Sequence, residues 1–213
     1  MSEQTIFNDL RNAGMSVAGA CAMIGNMKAE SSMKPNIAQR GMTKLTDEEY
    51  TAKFDRQPET CYKDGVGYGL CQWTFHTRKQ NLRQFSSNWG VSVGAEDMQT
   101  AFAVYELKTD NKDLWNYLCS NCDIYTATER ICKEFERPAV NNISTRYNFA
   151  LDFYNRLAST ENTNKSADAS AESLDVETCL QGALWDILSA LGIPPDANGG
   201  LAGALRKYAD EVS

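Results

Sequence analysis

Glu30 closes an apolar stretch that runs from Val17 to Met27, and Pro35 follows shortly after. Pro35 disfavours helix at Lys34, so the stretch predicts a helix that gives out around Glu30-Ser31-Ser32 with the carboxyl facing a loop. Burial and the carbonyls of a helix C-terminus both disfavour a carboxylate anion. An acid that keeps its proton near neutral pH can pass it to a leaving oxygen, which is what cleavage of a glycosidic bond demands. Helix-end glutamates are mostly solvated, so position alone does not select Glu30. Such cleavage normally uses a second carboxylate. Asp64 is the candidate, because the neighbouring Gly65 and Gly67 leave its side chain accessible. Aspartate also favours turns by bonding its own backbone, which leaves a purely structural role open. Asp47, Glu48, Glu49 and Asp55 are weaker rivals.

Other chemistries find less support. Cys119 and Cys122 have the CxxC spacing of redox and zinc sites, but there is no second CxxC and the single histidine, His76, lies far off in sequence. Four ligands are needed for tetrahedral zinc and only Cys132 offers a third, so neither a metal nor a cofactor is expected. Seven cysteines without a secretory leader read as reduced thiols rather than a disulfide framework. A cysteine nucleophile would need a histidine partner, and His76 reads as an exposed helix-start residue. P-loop, GxSxG, HExxH and dinucleotide-binding patterns do not occur.

The elements that must position these residues are mostly helical. Ile6, Leu10 and Ala13 mark a first helix that Gly14 stops, and Ser16 caps the helix leading to Glu30. Thr46 with Glu49, and Thr126 with Glu129, have capping-box spacing. Leu82, Phe85 and Trp89, then Phe102, Tyr105 and Leu107, then Leu114, Tyr117 and Leu118 mark further helices, and Ser144 is the expected cap of a last core helix. Between them, Gly65, Gly67 and Gly69 alternate with Val66, Tyr68 and Leu70, which predicts a small β-hairpin. Residues 159–173 lack large apolar side chains and read as a linker. Residues 174–213 carry two short amphipathic helices too small to fold alone, so they are expected to serve targeting or self-association.

Charge narrows the partners. Of the net −7, only −1 falls through Thr160 and −6 lies beyond it, so the body is neutral and the tail acidic. A phosphate-backbone binder would show a basic patch, and nucleic acid is therefore not an expected partner. No apolar run has the length of a membrane span. The N-terminus has no basic segment followed by an apolar one, so a cytoplasmic product without a signal peptide is expected.

Two blocks, Ile24 to Pro35 with its Ala-Glu30-Ser core and Gly67-Tyr68-Gly69-Leu70-Cys71-Gln72-Trp73-Thr74, are followed by Arg78-Lys79, Glu106-Leu107, Phe135-Glu136-Arg137-Pro138 and Arg146. Together, over roughly residues 5–158, they resemble the phage tail-type lysozyme family of phage and prophage lysins. The resemblance implies an α+β, predominantly helical, lysozyme-like domain over residues 1–158, with the small hairpin bordering a glycan cleft. It implies Glu30 as general acid, Gln72 facing it across the cleft, and Tyr68 and Trp73 stacking on sugars or framing the cleft. The implied activity is a muramidase on bacterial peptidoglycan, completed by Asp64 or by a water near Gln72. A lytic transglycosylase, which needs one carboxyl, is the alternative, and a non-catalytic glycan-binding or virion structural module is the alternative of another class. The route to the wall would be holin release or delivery within a virion.

Overall fold

Val17–Ser31 (α2) is buried on almost every side: Gly19 through Met27 are all inaccessible, as is Ser31. The sequence suggested one apolar face. A helix apolar all round is instead a core helix, and α2 is the axis of this one. The computed structural model describes residues 3–167, with side chains described through Arg156.

Around α2 stand Glu3–Asn12 (α1), Lys112–Cys119 (α7), Ile124–Arg130 (α8) and Ile143–Ala167 (α9), with α9 as its main partner. Small residues make this possible. A Cβ on Gly25 would come within 2.7 Å of the Ala150 Cβ and backbone nitrogen and of the Arg146 carbonyl on α9. A Cβ on Gly19 would collide with the Leu118 carbonyl at the end of α7. Glu96–Asp110 (α6) packs on α1 and on His76–Trp89 (α5). Asp47–Arg56 (α3) and Glu59–Tyr62 (α4) complete the fold, with Tyr50, Phe54 and Tyr68 clustered at centroid separations of 5.4 to 6.2 Å.

Several start signals are used as the sequence suggests. The Ser16 hydroxyl accepts from the Gly19 amide, and Thr46 and Glu49 form a reciprocal capping box at α3. Two are not. Asp123, three residues before Thr126, caps α8 through the Thr126 amide, because its short carboxylate reaches the free N–H groups first. Likewise Asn142, not Ser144, accepts from the Thr145 amide at the start of α9. After α8 the chain widens into a π-helical turn, Ile131–Glu136, closed by Arg137 in the left-handed region at φ +51.

The expected β-hairpin is not present. Among the described residues there is no strand, and the glycine-rich segment makes two isolated antiparallel bridges, Ala38 with Tyr68 and Tyr68 with Trp73. Gly65, Gly69 and Gln72 all have positive φ, +72, +77 and +45, so the chain turns before a second pair can form. The domain is helical rather than α+β in the described region. At the other end α9 continues to Ala167, through residues 159–167 of the stretch read as a linker. Neither glycine nor proline occurs there to break it. The rest of that stretch and the 174–213 segment lie outside the described residues.

Since α2 and α9 touch through backbone at Gly25, Gly25→Ala must push them apart. The substitution is expected to cost about 1–3 kcal/mol, as overpacking does. A lower urea midpoint by circular dichroism checks this, and an unchanged midpoint contradicts the packing described.

Candidate active site

A groove of about 1000 Å³ is lined by Glu30 and Gln72, but not by Asp64, Tyr68 or Trp73. Its walls are the end of α2, the loop over residues 37–42, the glycine-rich turn running into α5, and the segment 134–139 that ends the π-helical turn.

Glu30 is placed there by the last turn of α2, which stops as expected: Ser32 caps it in the left-handed region and Met33 follows with φ +63. Two successive non-glycine residues in that region are costly, on the order of 1–3 kcal/mol each. The surroundings of Glu30 are polar rather than apolar. Arg146 on α9 donates Nη2 to Oε1 of Glu30 at 2.5 Å, with both side chains largely buried. Behind it, Nη1 of Arg146 donates to Oδ1 of Asn26 at 3.1 Å, and the Asn26 amide donates to the carbonyls of Ala22 and Thr128. Asn26 and Glu30 are four residues apart on one face of α2, so a single guanidinium from α9 meets both. Glu30 is thus largely buried but ion-paired, and the unpaired apolar setting that was expected for it is absent.

That setting occurs at Glu136. Both of its carboxyl oxygens are shut from solvent and meet no donor at ordinary hydrogen-bond geometry. The buried thiol of Cys71, a weak donor, stands beside them. Burial first, and the charge of Glu30 second, push the Glu136 carboxyl up to about 8, against the opposing pull of Arg78 and Arg146. Burial likewise pushes the Cys71 thiol well up. Glu136 was noticed in the sequence only within the Phe135-to-Pro138 block. Nothing local marks it as buried, since the π-helical turn that carries it has no evident sequence signature.

Asp64 lies elsewhere in purpose. Its Oδ1 accepts from Nζ of the wholly buried Lys79 at 2.8 Å and from the Val66 amide at 3.0 Å, and its Oδ2 accepts from the Tyr50 hydroxyl at 2.7 Å. Lys79 also donates to Tyr50 and to the Val66 carbonyl. Burial lowers the Lys79 ammonium from its usual range, with Asp64 acting in the opposite sense. Gly65 borders the groove, whereas every oxygen of Asp64 is committed to this anchor. Of the weaker rivals, Asp47 accepts from the Ala38 amide, Glu49 serves the α3 cap, and Asp55 accepts from Ser92 and the Val93 amide.

Gln72 does line the groove, held by bonds from its amide to the Ile37 and Gly69 carbonyls. Tyr68 and Trp73 do not stack on anything in it: both are wholly buried. The Tyr68 hydroxyl bonds Thr51, and burial pushes its pKa above the usual range. Trp73 donates Nε1 to Glu106 at 2.7 Å. Large aromatics with one polar atom satisfied are core residues here, and this corrects the expectation that they contact sugar. The aromatic ring that is offered is Phe75, 74% exposed at the groove edge. Arg78 clasps Glu106 through Nε and Nη2, both at 2.7 Å, and lies 4.7 Å over the Phe135 ring, so it binds α6 to the segment bearing Glu136. His76 is exposed at the start of α5, and Cys122 packs against the α2 cap, 3.3 Å from the Ser16 hydroxyl.

The groove thus brings Glu30, at the end of α2, and Glu136, at the end of the π-helical turn, together with the glycine-rich turn. The chain belongs to the phage tail lysozyme family, whose model matches residues 2–157 of 213. Membership implies glycosidase activity of the lysozyme kind, directed at peptidoglycan of the bacterial cell wall. Among the described residues no helix is long and apolar enough to cross a membrane.

Two outcomes follow from these environments. Asp64→Asn strands a buried ammonium and should cost about 3–5 kcal/mol, whereas the Asp64→Asn/Lys79→Met pair should recover much of that loss; urea melts of the three proteins decide it, and a harmless single substitution refutes the anchoring role. For Glu136, the folded protein keeps a proton that the unfolded chain releases near 4.5, so stability declines as pH rises from there to about 8. Glu136→Gln removes that decline. Its melting temperature should exceed that of the wild type at pH 8 and converge on it toward pH 4.5; parallel curves in calorimetry would show that the carboxyl is not buried as described.

Proposed function

We propose that the protein is a muramidase, hydrolysing the bond between N-acetylmuramic acid and N-acetylglucosamine in peptidoglycan, with Glu30 as an essential carboxyl of the reaction. What supports the reading is the place of Glu30: at the end of α2, in the groove, with Gln72 of the glycine-rich turn lining the same space. Phe75 offers an apolar face for a sugar ring on the rim, and the exposed Arg40 and Arg137 offer cations to the carboxylates of peptidoglycan. Tight fixing of Gln72, with positive φ and two backbone bonds, favours a preformed binding wall.

Lytic transglycosylase chemistry is the second reading. It is favoured by one observation, the commitment of Asp64 to Lys79 and Tyr50, which takes the expected second carboxylate out of play. Mass spectrometry of digested walls separates the two. Reducing-end muramic acid supports hydrolysis, and 1,6-anhydromuramic acid overturns it. In the same assay Glu30→Gln should lower the rate by at least ~10²-fold, in line with the loss of a positioned catalytic carboxyl. Should wild type and Glu30→Gln release no ends from any wall while both bind it, the protein is a glycan-binding module.

A further inference from the structure

We propose that Arg137 forms a carboxylate subsite on the groove wall, which takes a free carboxylate of the stem peptide carried by N-acetylmuramic acid. The inference deepens the peptidoglycan reading and rests on it: the strand with unamidated stem peptides becomes the preferred substrate.

One observation of backbone and one of charge carry it. Arg137 closes the π-helical turn at φ +51 and ψ +49, in the left-handed region. That region suits glycine, and a residue before proline, here Pro138, is steered toward extended backbone instead. An arginine held there is strained, and strain of this kind collects at sites that bind or react. Its amide donates to the Cys132 carbonyl at 2.8 Å, and its Nε donates to the Glu134 carbonyl at 2.7 Å. With Nε tied to its own turn, the guanidinium plane is fixed, while Nη1 and Nη2 meet no partner among the described residues. The side chain is exposed and lines the same groove as Glu30. Two N–H groups on a fixed plane match the two oxygens of a carboxylate.

The charge balance of the groove leaves that place open. Its acids are mostly engaged: Glu30 by Arg146, Glu106 by Arg78, and Glu134 by Arg130 at 2.7 Å. Burial keeps Glu136 uncharged near neutrality. Asp110, exposed at the end of α6, is the remaining carboxylate, and it makes no ion pair with Arg137. On the 37–42 loop Arg40 is exposed and, among the described residues, likewise unpaired. An anionic ligand supplies what these cations lack. Muramic acid is the sugar whose bond is cleaved beside Glu30, and its peptide leaves the ring next to that bond. A groove that holds this sugar at Glu30 therefore passes the peptide along its wall.

Paired ligands test the subsite. A tetrasaccharide of peptidoglycan is prepared with its stem carboxylates free or converted to amides. Each form is titrated by calorimetry into full-length Glu30→Gln, in which turnover is suppressed. The free form is expected to bind about 10- to 100-fold more tightly, the reach of a charge-assisted pair of hydrogen bonds. Adding Arg137→Gly should bring that ratio to within about 2-fold. Because glycine accepts the left-handed backbone, Arg137→Gly alone should melt close to the wild type, which separates a lost contact from a lost fold. On purified walls it should raise KM more than it lowers kcat. Equal affinity for the two forms with Arg137 present overturns the proposal, as does a preference that survives Arg137→Gly. A markedly lower melting temperature with both forms bound equally weakly marks a structural residue and overturns it too. A wild type that neither binds nor cleaves peptidoglycan defeats the glycosidase reading and this subsite together, whereas an active wild type indifferent to amidation defeats the subsite alone.

Discussion

Arg146 reaches from α9 to the end of α2, and its guanidinium meets Glu30 and Asn26 at once. This is the constraint on which the groove depends. It requires the two helices to lie close, which Gly25 permits, and it requires α2 to end where Glu30 can face outward while Asn26 remains in the core. Asn26 in turn binds the Thr128 carbonyl of α8, a few residues before the π-helical turn that carries Glu136. Glu30 is therefore tied to both α8 and α9 through one buried polar network.

A second pair of cations sets the opposite wall. Arg78 and Lys79 are neighbours in α5 but point to different sides. Arg78 clasps Glu106 and covers Phe135, while Lys79 goes into the aromatic cluster of Tyr50 and Phe54 and holds Asp64. Each cation has a carboxylate to match, so the buried charges are paired, as burial in a low dielectric requires. Glu136 is the contrast: the two arginines near it are engaged, and its own charge would be unmatched.

Much of this was legible in the sequence. The helix ending at Glu30, its Ser16 cap, the capping box at Thr46 and the importance of the Gly67-to-Thr74 block all follow from local signals, because caps, periodicity and proline act over a few residues. The family match over residues 2–157 agrees with the resemblance those blocks carry. What local signals do not carry is which distant partner a side chain meets. Glu30 reads as a sheltered acid until Arg146 is placed beside it, and Asp64 reads as accessible until Lys79 arrives. Tyr68 and Trp73 sit in a motif that points to the cleft, yet their rings turn inward, since a residue can shape a wall without facing the space it bounds. The alternation of glycines was read as a strand signal, whereas positive φ at Gly65 and Gly69 makes them turning points.

The missing strand ladder has a consequence for how the groove holds its form. Gln99, wholly buried on α6, accepts from the Leu70 amide at 2.8 Å and donates to the carbonyls of Pro35 and Val93, both at 2.6 Å. One side-chain amide thus tethers three loops that backbone pairing would otherwise have to join. The wall is thereby held by one buried side chain on α6 rather than by a ladder, so its form depends on the packing of that helix behind it.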